Sequence, residues 1–509
     1  METISNTFAN DLIEWMKYFI PEIALIIMLV IAVFVDVIFK KRPLITGYFT
    51  IFGFAIIGLL TCCPCMFGLC NLTGAITFTG TLVADPFSQF FKVIILLGSL
   101  IATFMTFNSK ELRYGENSLG EFYILLIGMT LGMFLLASAS NLLMIYLAFE
   151  TMSICSYILA GYTKEVKRAS EASLKYVIYG SLASGIMIYG ISLLFGLTGT
   201  FDLAGINIAI QNYAGNELAL ITSGLLIFAG VAYKISAVPF HFWTPDVYEG
   251  SPVATTALLS VVSKAAGFAV LIRFLTAGFI DTSSGISEYY VWETISSFDW
   301  SYLLAIVAVI TMTLGNLIAL WQDNVKRMLA YSSIAHCGYM LMGVMVMTTA
   351  GIEGVLFYFI TYLLMNFGAF LVVQLIANKI GSEDMNDYAG LGYKNPFMAA
   401  AMTIFMLSLM GMPPFAGYLG KFYLFLPVIE AGYVGIAVIG ILNSVVSVFY
   451  YAKVIRNMYL RNMDTKERIA FGKPNMAFVY CLAIPVVLLV VNFNPILEWV
   501  KASAMMLID

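Results

Sequence analysis

The sequence predicts an all-α polytopic membrane protein of about fourteen helices, two of them broken. Three observations carry this expectation. The chain of 509 residues is 61% hydrophobic and only 11% charged, with a mean hydropathy of +0.91, whereas a soluble domain carries roughly a quarter charged residues to face water. Apolar runs recur from end to end at the length of about 20 residues that crosses about 30 Å of hydrocarbon. The basic residues gather in alternate connections between those runs. Long runs of this kind argue for helices and against an outer-membrane barrel, whose strands are short and alternate. Soluble enzymes, nucleic-acid binders and disordered scaffolds are excluded.

Taken in order, the spans start near residues 18, 44, 87, 122, 141, 172, 218, 253, 301, 329, 352, 397, 433 and 475. The first is too long for a signal-peptide core and runs into Lys40-Lys41-Arg42 without a small-residue cleavage site, so it is expected to be retained. The connections after spans 1, 3, 5, 9, 11 and 13 hold 18 of the 26 basic residues, among them Lys110, Arg113, Lys164, Lys167, Arg168, Lys326, Arg327, Lys379 and Lys394. The opposite side has only Lys17 and Lys501, beside acids such as Asp281, Glu288, Glu293 and Asp299. Basic residues mark the cytoplasmic face. The chain is therefore expected to be a single multi-pass membrane domain with both termini outside, which in a bacterial inner membrane is the periplasmic side.

Six basic residues remain inside spans: Lys92, Lys175, Lys234, Lys264, Arg273 and Lys421. Asp36 and Glu150 are read as the acids within spans. A central charge costs about 3 kcal/mol on insertion scales. Lys92 and Arg273 lie near outer ends and Asp36 near an inner end, where a side chain can snorkel to the interface. That escape fails for Lys264, eleven residues into span 8, and for Glu150, in the middle of span 5. A carboxylate makes a buried ammonium tolerable, so Glu150 is expected to pair with a lysine of a neighbouring helix. One structural pair needs one lysine, and there are four candidates. Buried lysines can exchange protons near neutral pH, and a row of them outlines a proton relay. Both histidines of the chain, His241 after span 7 and His336 in span 10, extend the set.

Two spans should break. Gly411-Met-Pro-Pro-Phe-Ala-Gly interrupts span 12, and Pro239 follows Lys234 at the end of span 7. Proline lacks the backbone donor and clashes with the preceding turn, and irregular backbone at membrane depth is tolerated only inside protein or beside water. Lys421 and Lys234 flank these breaks, as groups on an ion pathway do. Other signals fail. Cys62, Cys63, Cys65 and Cys70 have no matching second cluster, no phosphate loop or dinucleotide fingerprint appears, and no iron–sulfur spacing does either. No cofactor or metal is expected on this chain.

Several stretches resemble the N subunits of proton-pumping NADH:quinone oxidoreductases (respiratory complex I). They are Pro21-Glu-Ile, Leu147-Ala-Phe-Glu150, Ser170-Glu-Ala-Ser-Leu-Lys175-Tyr, Lys234-Ile-Ser-Ala-Val-Pro-Phe-His through Asp246-Val-Tyr-Glu-Gly-Ser-Pro, Lys326-Arg-Met-Leu-Ala-Tyr-Ser-Ser-Ile-Ala-His336, and Gly411-Met-Pro-Pro-Phe-Ala-Gly-Tyr-Leu-Gly-Lys421. The resemblance implies an antiporter-like fold with two inverted five-helix repeats and broken helices 7 and 12. Helices 1–3 would occupy 1–120, the first repeat 121–277, the second 300–460 and helix 14 residues 475–495. It also implies that Glu150 modulates Lys234, that Lys175, Lys264 and Lys421 match the lysines of spans 6, 8 and 12, and that His336 takes the place of a polar linking residue. Protons are then expected to enter near Lys175 and Lys234, pass Lys264 and His336, and leave near Lys421.

The function expected is that of a non-redox, proton-translocating subunit coupled to electron transfer from NADH to quinone. Partner subunits would carry FMN, the iron–sulfur clusters and quinone. The neighbours would be M- and K-type membrane subunits and lipid, with no nucleic acid. An Mrp-type cation/proton antiporter subunit is the alternative, and a passive scaffold a further one.

Overall fold

The computed structural model describes residues 16, 18–40, 42, 44–62, 76–78, 80–113, 119–213, 215–280, 298–461 and 468–505. Cys63, Cys65 and Cys70 lie outside the described residues, as does the side chain of Cys62. The apolar runs coil because a chain in hydrocarbon must satisfy its backbone groups internally. The long helices are α1 (Ile20–Ile38), α2 (Leu44–Cys62), α3 (Pro86–Asn108), α4 (Leu119–Ser138), α5 (Leu142–Ala160), α6 (Lys167–Thr198), α7 (Glu217–Ile235), α8 (Val253–Phe279), α9 (Trp300–Ala319), α10 (Val325–Met345) and α11 (Thr349–Ile380). The two halves of span 12 follow as α12 (Pro396–Met410) and α13 (Ala416–Glu430), then α14 (Val434–Leu460), α15 (Lys473–Leu488) and α16 (Asn494–Met505). Among the described residues, twelve helices are long and apolar enough to cross a membrane. Expected spans 12 and 14 fall on shorter apolar helices, α12 with 15 residues and α15 with 16.

One element departs from the all-helical expectation. Ile76–Phe78 pairs antiparallel with Leu82–Ala84, in register Ile76 to Ala84 and Phe78 to Leu82. Asp85 follows directly and caps α3, accepting from Ser88 N at 2.7 Å.

The core is the trio α8, α10 and α11. All of the most apolar 18-residue window of α8 is buried, as is nearly all of that of α10 and of α11. Burial on every side suits α8, which is built largely of Ala, Ser, Thr, Gly and Val. Small residues let helices approach closely in a membrane, where no hydrophobic drive separates protein from lipid. Gly267 shows this: a Cβ there would lie 2.6 Å from Ile235 Cγ2 and 3.9 Å from the Lys234 Cβ. The helix of Lys264 thus rests on the stem of Lys234. Short helix Trp243–Gly250 packs against α6, α8 and α10, and so links the two sides of the molecule.

Candidate functional site

Lys234 sits on the last turn of α7, which ends because Ser236 turns left-handed (φ 64°) and Pro239 follows. The backbone of the break is satisfied locally and across the bundle, with Ala237 N donating to Ala232 O at 2.9 Å and Val238 N to Thr311 Oγ1 at 3.0 Å. Lys234 Nζ donates to Ser153 Oγ of α5 at 3.2 Å and Tyr176 OH of α6 at 3.4 Å, and stands 5.6 Å from the Tyr176 ring centroid. The expected ion pair with Glu150 is not formed. Among the described residues Glu150 makes no ion pair within 4.0 Å, and its Oε1 is buried without a hydrogen-bond partner. Ser153, one turn on from Glu150 along α5, takes the contact instead.

Lys264, at the centre of α8, donates to Ser333 O of α10 at 2.9 Å. His336 follows one turn later on α10. Its Nδ1 lies 2.6 Å from Tyr358 OH of α11 and its Nε2 3.1 Å from Tyr451 OH of α14. Tyr451 OH in turn bonds Ser332 Oγ. The Tyr339 ring centroid is 5.8 Å from that of His336 and 5.0 Å from Lys421 Nζ, so both groups neighbour the same ring. Lys421 Nζ donates to Met410 O at 2.8 Å and Ser444 Oγ at 2.7 Å. The break explains the first of these acceptors: in an unbroken helix Met410 O would accept from residue 414, and Pro414 has no N–H.

Lys234, Lys264 and Lys421 are 1, 0 and 5% exposed and His336 is 2% exposed, so none of them reaches an interface by snorkelling. Lys264, His336 and Lys421 form one buried polar line through an apolar core: Lys264 is held by the Ser333 carbonyl one turn before His336, His336 by the Tyr358 and Tyr451 hydroxyls, and Lys421 by the Met410 carbonyl and the Ser444 hydroxyl. Lys234 joins it where α8 meets α7. Each of the three lysines has neutral oxygen acceptors and, among the described residues, no carboxylate within 4.0 Å. Such a group can hold or release a proton without breaking an ion pair.

Lys175 is placed apart from this line. It is partly exposed in a cleft of about 160 Å³ on the face that carries the basic connections. Its Nζ pairs with Asp246 Oδ2 at 2.6 Å and Glu171 Oε1 at 2.8 Å. Arg327 completes the cluster, reaching Asp246 Oδ1 at 2.9 Å and Glu249 Oε2 at 2.7 Å. Burial alone would raise the Asp246 carboxyl, but hydrogen bonds from Lys175 and Arg327 outweigh it and hold the group below its ordinary value. His241 is buried beside Phe242 with no hydrogen-bond partner at Nδ1, and it stands outside the polar line.

Two expectations about span ends are corrected. Lys92 does not snorkel: its Nζ pairs with Glu22 Oε1 of α1 at 2.6 Å, both side chains about 5% exposed. Arg273 does not either, making a bidentate pair with Asp85 at 2.8 and 3.0 Å and a bond to Ala137 O. A buried acid facing each cation removes the need to reach water. Glu22, within the quoted Pro21-Glu-Ile, was the available signal and is a third acid within spans. Asp36 is half-buried with Oδ1 unpartnered. The hydroxyl links Ser153, Tyr176, Tyr358 and Tyr451 were not predicted, since serine and tyrosine are ordinary in such helices.

A family model described as NADH:quinone oxidoreductase/Mrp antiporter, transmembrane, matches residues 139–447, a stretch that holds Lys234, Lys264, His336 and Lys421. NADH-quinone oxidoreductase subunit N 2 of Chloroherpeton thalassium is 48% identical over 82% of this chain and 81% of its own. NADH-quinone oxidoreductase subunit N of Chlorobium chlorochromatii is 42% identical over 96% of this chain and 94% of its own. A solved structure of respiratory complex I from Thermus thermophilus with bound aureothin contains a chain with TM-score 0.76 and 29% identity, covering 95% of this chain and 99% of that one. A chain of the Mrp complex from Dietzia has TM-score 0.81 at 19% identity, a likeness of fold alone. The chain belongs to the NADH:quinone oxidoreductase/Mrp antiporter transmembrane family, among the N subunits of NADH-quinone oxidoreductase.

Proposed function

We propose that this chain translocates protons through Lys234, Lys264, His336 and Lys421 while partner subunits pass electrons from NADH to quinone. The observation that carries the reading is the buried polar line itself, in which Lys234, Lys264, His336 and Lys421 sit inside an apolar core on neutral hydroxyl and carbonyl partners. Ionisable groups at membrane depth are expensive and mark ion and proton pathways. Protons enter from the cytoplasmic side near Lys175 and Lys234 and leave on the periplasmic side near Lys421. Glu150 acts on Lys234 through its field rather than by contact.

The chain is the non-redox part of the machine, and FMN, iron–sulfur clusters and quinone belong to partner subunits. M- and K-type membrane subunits are its neighbours. The alternation of basic connections supports an inner-membrane location with both termini periplasmic. The Mrp-type antiporter reading is the weaker one, since the curated relatives at 48 and 42% identity are named as N subunits and the Mrp likeness rests on 19%.

The test is Lys234→Met in the assembled complex. Quinone reductase and proton uptake are measured together in sealed inverted vesicles. Pumping should fall by at least about tenfold, the loss expected when a positioned proton-transfer group is removed, with assembly intact. An unchanged proton-to-electron ratio would sink the assignment.

A further inference from the structure

The cleft on the basic face carries more charge than a proton entrance needs, and its arrangement is specific. Asp246 is shared, with Oδ2 on Lys175 of α6 and Oδ1 on Arg327 of α10. Glu249, one turn later on the short helix Trp243–Gly250, takes the same Arg327 nitrogen at 2.7 Å. The short helix is therefore held at its charged face between α6 and α10. Its other end reaches the buried lysine. Trp243 stacks on Tyr176, with centroids 4.4 Å apart and planes at 11°, and its Nε1 donates to Tyr233 O at 2.9 Å. Tyr233 OH donates back to Tyr176 O at 3.1 Å, and Tyr176 OH is a contact of Lys234 Nζ.

Lys175 and Tyr176 are consecutive on α6, and successive helical residues point about 100° apart. One side chain enters the cleft and the other the core, on one rigid turn. A shift of the cleft ion pairs therefore moves the hydroxyl that holds Lys234. The groups of the cleft are about one-third exposed, in contrast to the buried Arg273–Asp85 pair at 7 and 5%. Ion pairs open to water contribute little to stability and can be broken and remade within a folded protein.

We infer that Asp246 and Arg327 are positioning residues for proton transfer: through the Trp243–Gly250 helix they latch α6 to α10 and set the place of Tyr176 against Lys234. The inference rests on the relay reading of Lys234. The Asp246 carboxyl, held below its ordinary value by Lys175 and Arg327 against the effect of burial, keeps the latch ionised at neutral pH.

The experiment uses the whole complex in its native membrane. Asp246→Asn keeps the shape of the side chain and removes its charge. It should assemble normally on native gels, lower protons pumped per electron by about threefold, as coupling through packed networks allows, and raise amide exchange in residues 230–250. Asp246→Glu should recover at least about half of the pumping, because it restores the charge to both partners. Unchanged pumping in Asp246→Asn, unchanged exchange in 230–250, or an Asp246→Glu variant as defective as Asp246→Asn overturns the latch. If Asp246→Asn fails to assemble, Arg327→Lys decides. It keeps the charge but replaces the guanidinium fork by a single ammonium, so a fall in pumping supports the latch and normal pumping overturns it. Lys234→Met run alongside separates the two readings. Normal pumping there removes the relay, whereas an inactive Lys234→Met beside a fully active Asp246→Asn removes only the latch.

Discussion

Glu150 and Lys234 show how a one-turn difference decides which residue meets a buried lysine. The lysine contacts Ser153 and Tyr176, and Glu150, one turn before Ser153 on α5, makes no ion pair with it among the described residues. Removing a field costs less than removing a proton carrier. Glu150→Gln should therefore lower pumping only a few-fold, about the effect of one charge acting across several ångströms of protein. Lys234→Met should cost at least about tenfold. Proton uptake by inverted vesicles at matched quinone reductase rates measures both, and equal losses would mean that Glu150 is itself a carrier. The lysines were legible in the sequence because a charge in an apolar run demands a reason. The hydroxyls were not, since Ser and Thr in helices commonly satisfy themselves on the preceding turn, as Thr50, Thr61 and Thr103 do here. Nothing in their spacing marks Tyr358 or Tyr451 as partners of His336.

The breaks in spans 7 and 12 are elements whose position the prolines announce. Which group takes the freed carbonyl depends on packing. At Met410 the takers are Lys421 of α13 and Ser444 of α14, at 2.8 and 3.2 Å. Gly411 sits at φ 84°, and a Cβ there would lie 2.7 Å from the Lys421 Cδ. Gly411→Ala should cost about 1–2 kcal/mol in backbone strain and displace the lysine from its carbonyl. The expected result is an assembled complex with reduced pumping and a lower inactivation temperature of the coupled activity. A variant that pumps normally would show that the Lys421–Met410 bond is dispensable. Position along the helix likewise explains why Lys175 stands apart from the buried line. Its helix begins at Lys167, so position 175 lies only about two turns from the end, at the cleft.

Across the whole molecule, two buried ion pairs tie α1 to α3 and α3 to the core. Glu22–Lys92 joins α1 to α3, and Asp85–Arg273 joins the start of α3 to α8. Opening a buried pair by deleting one partner costs about 3–5 kcal/mol, whereas replacing both by neutral groups can be nearly harmless. Arg273→Met should therefore sharply reduce the complex recovered on native gels and its thermal stability. Adding Asp85→Asn should restore most of both, since asparagine keeps the cap of α3 and leaves no charge unpaired. A double variant no better than the single one would mean that the pair does more than hold the helices. The snorkelling expectation failed at this scale because distance from a span end says nothing about which residue faces the side chain.

Hydropathy, the alternation of basic loops and two proline-broken spans were enough to establish a polytopic helical protein and to single out the buried cations. Those properties follow from the cost of exposing polar groups to hydrocarbon, which is paid locally, residue by residue. Tertiary structure alone decided who meets whom. It sent Glu22 and Asp85 to cations far away in sequence, and it set Lys175 in a water-reached cleft. It also set a tyrosine of α6 on Lys234 and tyrosines of α11 and α14 on His336. Such contacts join residues up to 188 positions apart. They depend on helix rotation and close approach, which a hydrophobic pattern constrains only weakly when, as in α8, every face of the helix is buried.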